Sequence, residues 1–204
     1  MYILEAYKNT DRDRIVEFIK KNSFADLVTH HEGVLCSNKV PFLYDEEKNV
    51  LYGHLGKEND QLIGLQESAE VLVIFSGAHS YISPQWYISK NAVPTWNFQT
   101  LQCRGKPSLV DKAGLMEILA RLTKYHESSY SNPWTMASLD ADKREMMVNL
   151  LTGFKIEITD IQFKEKMSQI RSLEDRKNII KELDKQDSPL SQKVSKIMKN
   201  NIEL

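Results

Sequence analysis

FKIEITDIQFK, residues 154–164, decides the fold. Its apolar side chains alternate with polar ones, and Phe154, Ile156, Ile158 and Ile161 gather near one face, which is the period of a half-buried strand. Two stretches of helical period come before it. DKAGLMEILARLTKYHE (111–127) places Leu115, Ile118, Leu119 and Leu122 on one face, and ADKREMMVNLLTG (141–153) continues as a second helix with Gly153 as its C-cap. A strand that returns after two helices is placed most simply by closing a barrel begun upstream.

Upstream the chain supplies the other staves. SFADLVTH (23–30) and VLCSNKVPFLY (34–44) flank a turn at Gly33, and DEEKN (45–49) turns into VLYGHL (50–55). LGKENDQLIGLQES (55–68) reads as a short connecting helix. VLVIFSG (71–77) is nearly all apolar, as in a strand buried on both faces or one lining a barrel, and WNFQTLQCRGKPSLV (96–110) is the last strand before the helices. Before this meander, Thr10 and Asp13 have capping-box spacing ahead of a helix with Ile15, Phe18 and Ile19 on one stripe, ending near Asn22. After the returning strand, SLED (172–175) and Ser188-Pro189 open two tail helices. The expected class is therefore mainly β with peripheral helices (α+β). One domain spans 1–170 with a helical insertion at about 111–152, and a helical tail at 171–204 packs on the same unit.

Composition narrows the function. The 204 residues are 41% hydrophobic and 27% charged, ordinary for a globular protein, and the net charge of −1 gives no global field to attract nucleic acid. The basic tail face of Lys193, Lys196 and Lys199 reads as a solvated helix face, or as a local phosphate contact. No apolar run approaches the ~20 residues of a membrane span, and MYILEAYKNTDRDR lacks a basic region followed by an apolar one, so a cytoplasmic protein is expected. Cys36 and Cys103 read as two core-facing thiols in a reducing compartment. No metal site is expected: the five histidines include no HExxH, and His30 and His31, adjacent on a strand, point to opposite sides. Glycine-rich phosphate loops and the GxSxG elbow are absent from the sequence.

Two stretches can carry a ligand. In YGHLGKENDQ (52–61), glycines flank His54 at a strand end, and Lys57 and Asn59 fall where a helix begins. A lysine beside unpaired helix N–H groups suits a phosphate, while a solvated turn explains the same residues. GAHSYISPQWYISKNAVPTWNFQ (77–99) concentrates Tyr81, Trp86, Tyr87, Trp96 and Phe98 between proline breaks. These rings either plug an open barrel end or wall a flat conjugated ligand whose polar rim Ser83 and Asn97 would meet. Trp134 reads as a core anchor, and Lys164 and Lys166 as strand-end charges that could meet an anion.

Taken in order, SFADLV (23–28), VPFLYD (40–45), LYGHLGKENDQ (51–61), VLVIFSGAHSYISPQWY (71–87), VPTWNF (93–98) and GFKIEITDIQFKEKMSQIRSLEDR (153–176) resemble the PaiB family, FMN-binding negative transcriptional regulators on the split-barrel flavin-binding fold. The resemblance implies a Greek-key split β-barrel, a homodimer, and FMN held by His54, Lys57, Asn59, Tyr81, Ser83, Trp86, Trp96, Asn97, Lys166, Ser168 and Gln169. Where the family has an arginine, this chain has Lys57, which meets phosphate as a point charge rather than a fork. Implied in turn is a regulator that represses protease-synthesis and sporulation-type genes rather than a dedicated enzyme. The alternatives are an FMN-dependent oxidoreductase of the pyridoxamine-phosphate-oxidase or flavin-reductase class, with His54 and His79 as its acid–base groups, or a scaffold that has lost the flavin.

Overall fold

The computed structural model describes residues 1–203. The first half holds β1 (Lys8–Asn9), α1 (Arg12–Lys21), β2 (Phe24–His31), β3 (Val34–Pro41), β4 (Leu43–Asp45), β5 (Val50–Gly56), α2 (Gln61–Glu67) and β6 (Val71–Ile82). The second holds β7 (Thr95–Leu109), α3 (Lys112–Glu127), α4 (Ala141–Asn149), β8 (Leu151–Lys166), α5 (Leu173–Asp184) and α6 (Pro189–Glu203). All eight strands join one sheet in the order β3-β2-β6-β7-β8-β5-β4, with β1 also pairing β8. The order is non-sequential, β6 beside β2 and β8 beside β5, as Greek-key connections require. β2 pairs antiparallel with β3 and β6, and β8 does so with β5 and β1. The returning strand thus lies between β7 and β5, and it follows an insertion of two helices.

Local chemistry explains the turns. Glu32 and Gly33 both adopt positive φ (48° and 80°) between the paired residues His31 and Val34, the two-residue hairpin whose twist matches its strands. Asn49 closes the β4–β5 loop at φ 54°, accepting from the Tyr44 hydroxyl (3.1 Å) and donating to the Ile158 carbonyl (3.2 Å).

The chain divides into two compact units: residues 1–15, 76–101 and 162–204 form the first, and residues 16–75 and 102–161 the second. The second is centred on phenylalanines. Phe42 packs against Phe75 (6.0 Å between centroids) and edge-on against Phe154 (6.1 Å). Helix α3 adds Leu115, Ile118 and Leu122 as buried side chains. Close backbone approach is built in at Gly105, where a Cβ would stand 2.5 Å from the Glu157 carbonyl oxygen. Gly105→Ala is therefore expected to cost about 1–3 kcal/mol, read as a lower thermal midpoint, since a backbone atom cannot step aside as a side-chain end can. In the first unit, α5 and α6 bury Ile179, Ile180, Leu183, Val194 and Met198 with Ala78, Ile82 and Met167. Asp184 joins the two helices by accepting from Ser195 Oγ (2.6 Å) and Lys199 Nζ (2.8 Å).

Several local expectations change. The α1 cap is Asp11, whose carboxylate accepts from the N–H groups of Asp13 (2.9 Å) and Arg14 (3.1 Å), and not Thr10. Gly153 lies inside β8 and not at a helix end, because a Cβ there would meet Val110 Cγ2 at 2.7 Å. Along β6, Val71, Val73 and Phe75 are buried while Leu72 and Ile74 are half-buried, so the apolar run lines a core with one face. That strand also runs on to Ile82, through residues whose period the sequence left open. Cys103 is buried, but Cys36 is exposed. Trp134 is 43% exposed and lines a cleft with Ala120, Pro133 and Met136, so it anchors no core.

Candidate functional site

In the second unit, β5 delivers His54 and the turn after it delivers Lys57 and Asn59. His54 is half-buried, and its Nδ1 is a buried polar atom with no hydrogen-bond partner. Burial pushes the imidazole pKa down, so at neutral pH the ring is uncharged. Its neighbour Gly53 is opposite Phe154 across the β5–β8 ladder, and a Cβ on Gly53 would stand 2.6 Å from the Phe154 ring. The glycine is thus what lets the ring cover the strand beside His54.

The Lys57 N–H donates to the Leu150 carbonyl (2.8 Å), which fixes the turn, while its side chain is exposed and makes no ion pair among the described residues. Asn59 Oδ1 accepts from the Gln61 N–H (2.9 Å). Gln61 is fully buried: its amide donates to the Leu27 carbonyl (2.7 Å) and accepts from Asn38 Nδ2 (3.0 Å), pinning the start of α2 to β2 and β3. Lys57, Asn59, Leu62, Ile63, Gln66, Leu109 and Thr152 line a cleft of about 400 Å³ with Glu58 and Asp60 on its rim. The cleft holds one unpaired cation with two carboxylates near it, so its field is mixed.

In the first unit, β6 and β7 hold an exposed aromatic group. Tyr81 and Trp96 meet edge to face at 5.9 Å, and they are 45% and 52% exposed. His79 lies 6.3 Å from the Trp96 ring and is itself exposed. Lys166 Nζ donates to Thr95 Oγ1, beside the same strand. The proline break lies elsewhere in function: Ser83 Oγ accepts from the Gln85 N–H (3.2 Å) and caps a short turn, and half-buried Trp86 packs on the α5–α6 core while its carbonyl accepts from Asn178 (2.8 Å).

Asn97, Ser168 and Gln169 come together too, but on one another. Asn97 is fully buried and exchanges hydrogen bonds with Ser168 Oγ (3.0 and 3.1 Å). Ser168 sits at φ 60°, a conformation rare for a side-chain-bearing residue, and Asn97 holds it there. Gln169 accepts from the Met167 N–H (2.6 Å) and donates to the Glu165 carbonyl (2.5 Å). These three shape the turn after β8 and aim Lys166. The sequence reading did not single out Arg171, which follows that turn with its guanidinium 4.9 Å from the centre of the Tyr87 ring. An arginine just past a strand end is the signal that was there to find.

Among the described residues there is no group of three His, Cys, Asp or Glu side chains placed to hold a metal ion, and no helix long and apolar enough to cross a membrane.

The profile of the family described as "Putative FMN-binding domain" matches residues 1–160. Protease synthase and sporulation protein PAI 2 of Bacillus subtilis (strain 168) is 32% identical over 205 residues, covering 100% of this chain and 99% of that protein. Among solved structures, the FAD and heme binding protein from Mycobacterium smegmatis aligns with a TM-score of 0.62 over 78% of this chain and 73% of that one, at 14% identity. The flavocytochrome Anf3 from Azotobacter vinelandii does so with a TM-score of 0.59 over 78% and 69%, at 12% identity. At such identities these two structures are evidence for the fold alone.

Proposed function

Because the chain belongs to the PaiB family of FMN-binding-domain proteins with a split-barrel fold, we propose that it is an FMN-binding negative regulator of transcription that works as a cytoplasmic homodimer and lowers expression of protease and sporulation-type genes. The observation that carries the flavin is the Tyr81–Trp96 pair, two large rings about half open to solvent on a sheet face. Exposed aromatic faces of this kind are where a flat conjugated ring stacks. The other residues fit the group. In the first unit, Lys166 donates to Thr95 beside that pair. In the second unit, taken by itself, Lys57 offers a cation without a carboxylate partner for a phosphate, Asn59 lines the same cleft, and His54 offers a desolvated nitrogen that lacks a partner. Asn97, Ser168 and Gln169 act at one remove, by setting the turn that positions Lys166. FMN, when bound, supplies redox chemistry or a sensed ligand state, and the protein binds, orients and shields it.

The test is a titration of the apoprotein with FMN, followed by tryptophan fluorescence. Saturable quenching is expected, with affinity about five- to 150-fold weaker in Trp96→Ala, the size of one lost ring-stacking contact of ~1–3 kcal/mol. No quenching by ~100 μM FMN, on the scale of a micromolar site, would remove the flavin from this reading. Regulation has its own test: the FMN-loaded dimer should retain promoter DNA with sequence preference at ~150 mM salt, where non-specific phosphate binding is weak.

A flavin-dependent oxidoreductase is the second reading, and it is favoured by His54, whose imidazole burial keeps uncharged at neutral pH and so able to accept a proton. NAD(P)H oxidation by the reconstituted protein no faster than by free FMN rules it out.

A further inference from the structure

At and just beyond the end of β8, in the first unit, Lys164, Lys166 and Arg171 have no carboxylate partner among the described residues. Lys164 and Lys166 are two apart on β8 and so share a face. Lys164 donates to the Tyr2 carbonyl (3.1 Å) and lies 5.4 Å from the Phe98 ring centre. Lys166 donates to Thr95 Oγ1, and Arg171 stacks on Tyr87. The nearby acids are engaged elsewhere. Buried Glu165 accepts from Arg14 (2.9 Å), Gln99 (2.7 Å) and Asn9, and Asp175 accepts from Ile88 and Ser89. Burial together with the positive charges of Lys164 and Arg171 pushes the Lys166 pKa down, so the cations are near enough to repel one another.

Cations that repel and lack acids are an unfavourable arrangement unless an anion joins them. Tyr87 supplies an independent sign. Its side chain is 8% exposed, and its buried hydroxyl donates to no acceptor, with only the Arg171 guanidinium, itself a donor, beside it. Burial raises the pKa of the phenol and keeps it protonated, with Arg171 beside it. It is thus a donor in want of an acceptor, flanked by a guanidinium.

We propose that Lys166, Arg171 and the Tyr87 hydroxyl form an oxyanion subsite that binds a phosphate group. Lys166 and Arg171 supply the charge, Tyr87 supplies an O–H donor, and Lys164 strengthens the field. The subsite deepens the ligand-binding reading given above and rests on it only for what carries the phosphate, either FMN itself or a second phosphorylated ligand.

The experiment is a calorimetric titration of the full-length apoprotein with inorganic phosphate at pH 7.5. Saturable binding is expected. Arg171→Gln and Lys166→Gln should each weaken it tenfold or more, the effect of losing one charge-assisted contact. Arg171→Lys should recover part of the loss, Tyr87→Phe should weaken binding a few-fold, and Lys177→Gln, at an exposed position on α5, should leave it unchanged. Thermal melts by circular dichroism confirm that each variant is folded. Displacement of phosphate by FMN assigns the subsite to the flavin's own phosphate, whereas simultaneous binding of FMN and phosphate assigns it to a second ligand. No phosphate binding by ~10 mM, weaker than any specific millimolar site, overturns the subsite, and so does loss of binding in Lys57→Gln with Arg171→Gln unaffected. Flavin binding without phosphate binding sinks the subsite and leaves the flavin reading; phosphate binding without flavin binding does the reverse.

Discussion

Replacing Asp175 by alanine is expected to destabilise the protein by about 3 kcal/mol, and replacing it by asparagine by about 1 kcal/mol. Asp175 is 1% exposed. One carboxylate oxygen accepts from the N–H groups of Ile88 (2.7 Å) and Ser89 (3.0 Å), and the other from Ser89 Oγ (2.7 Å). Alanine leaves two part-buried N–H donors unpaired, whereas asparagine keeps an acceptor at the same place and removes only the charge. The bond from the Ser89 N–H, opposed by burial and helped by Ser89 Oγ and Ile88, holds the carboxyl below the ordinary aspartate range. A depressed carboxylate pKa contributes stability that is fully present above the unfolded value of about 3.9 and is lost as pH falls through the lower folded value. The wild-type chain should therefore lose stability below about pH 4. Asp175→Asn, less stable at pH 7, should lose less over that window. Thermal midpoints from pH 7 to pH 3 check this. Parallel acid limbs for wild type and Asp175→Asn would mean that this carboxylate is not what links the loop to α5.

Asp175 also shows how far a sequence can be read. SLED (172–175) announces a helix start, and Ser172 Oγ does accept from the Asp175 N–H (3.1 Å). Nothing in those four residues says that the acid turns away to hold a loop 86 residues upstream. The same limit appears at Gly153. A glycine after a helical period reads locally as a C-cap, but its reason is the close approach of Val110 and Leu115. Periodicity reports on a residue's own element. It found the alternation of β8, the amphipathic face of α3 and the hairpin at Gly33, because each is settled within a few residues.

The candidate ligand residues divide along the same line. The Gly-His-x-x-Lys turn and the aromatic segment were visible because unusual residue types cluster in sequence. What the sequence could not show is which polar groups already have partners. Asn97, Ser168 and Gln169 look like ligand contacts by type, yet their polar atoms are taken up by one another and by the backbone. Arg171 looks unremarkable by type and Tyr87 reads only as one ring among five, yet they lack acidic or acceptor partners once folded. Hydrogen-bond satisfaction is a long-range property, and it is what separates a structural polar residue from one open to a ligand.

Phe154→Ala is expected to cost about 3–5 kcal/mol, the range for deleting a fully buried ring. Phe154 has no solvent exposure, packs edge-on against Phe42 at 6.1 Å, and covers Gly53 across the β5–β8 ladder. Deleting it opens a cavity beside the strand that carries His54. The glycine beneath it makes the prediction sharper. In the wild-type chain Gly53→Ala drives a Cβ to 2.6 Å from the ring tip, which should cost about 1–3 kcal/mol by overpacking. With Phe154→Leu already present, the shorter side chain leaves room and the same substitution should cost distinctly less. The two changes are then coupled by more than the ~0.5 kcal/mol within which independent sites add. Thermal melts of the wild type, both single variants and the double variant close the cycle. Additive costs would show that the ring and the glycine do not depend on each other, and that the packing beside His54 is set by other contacts.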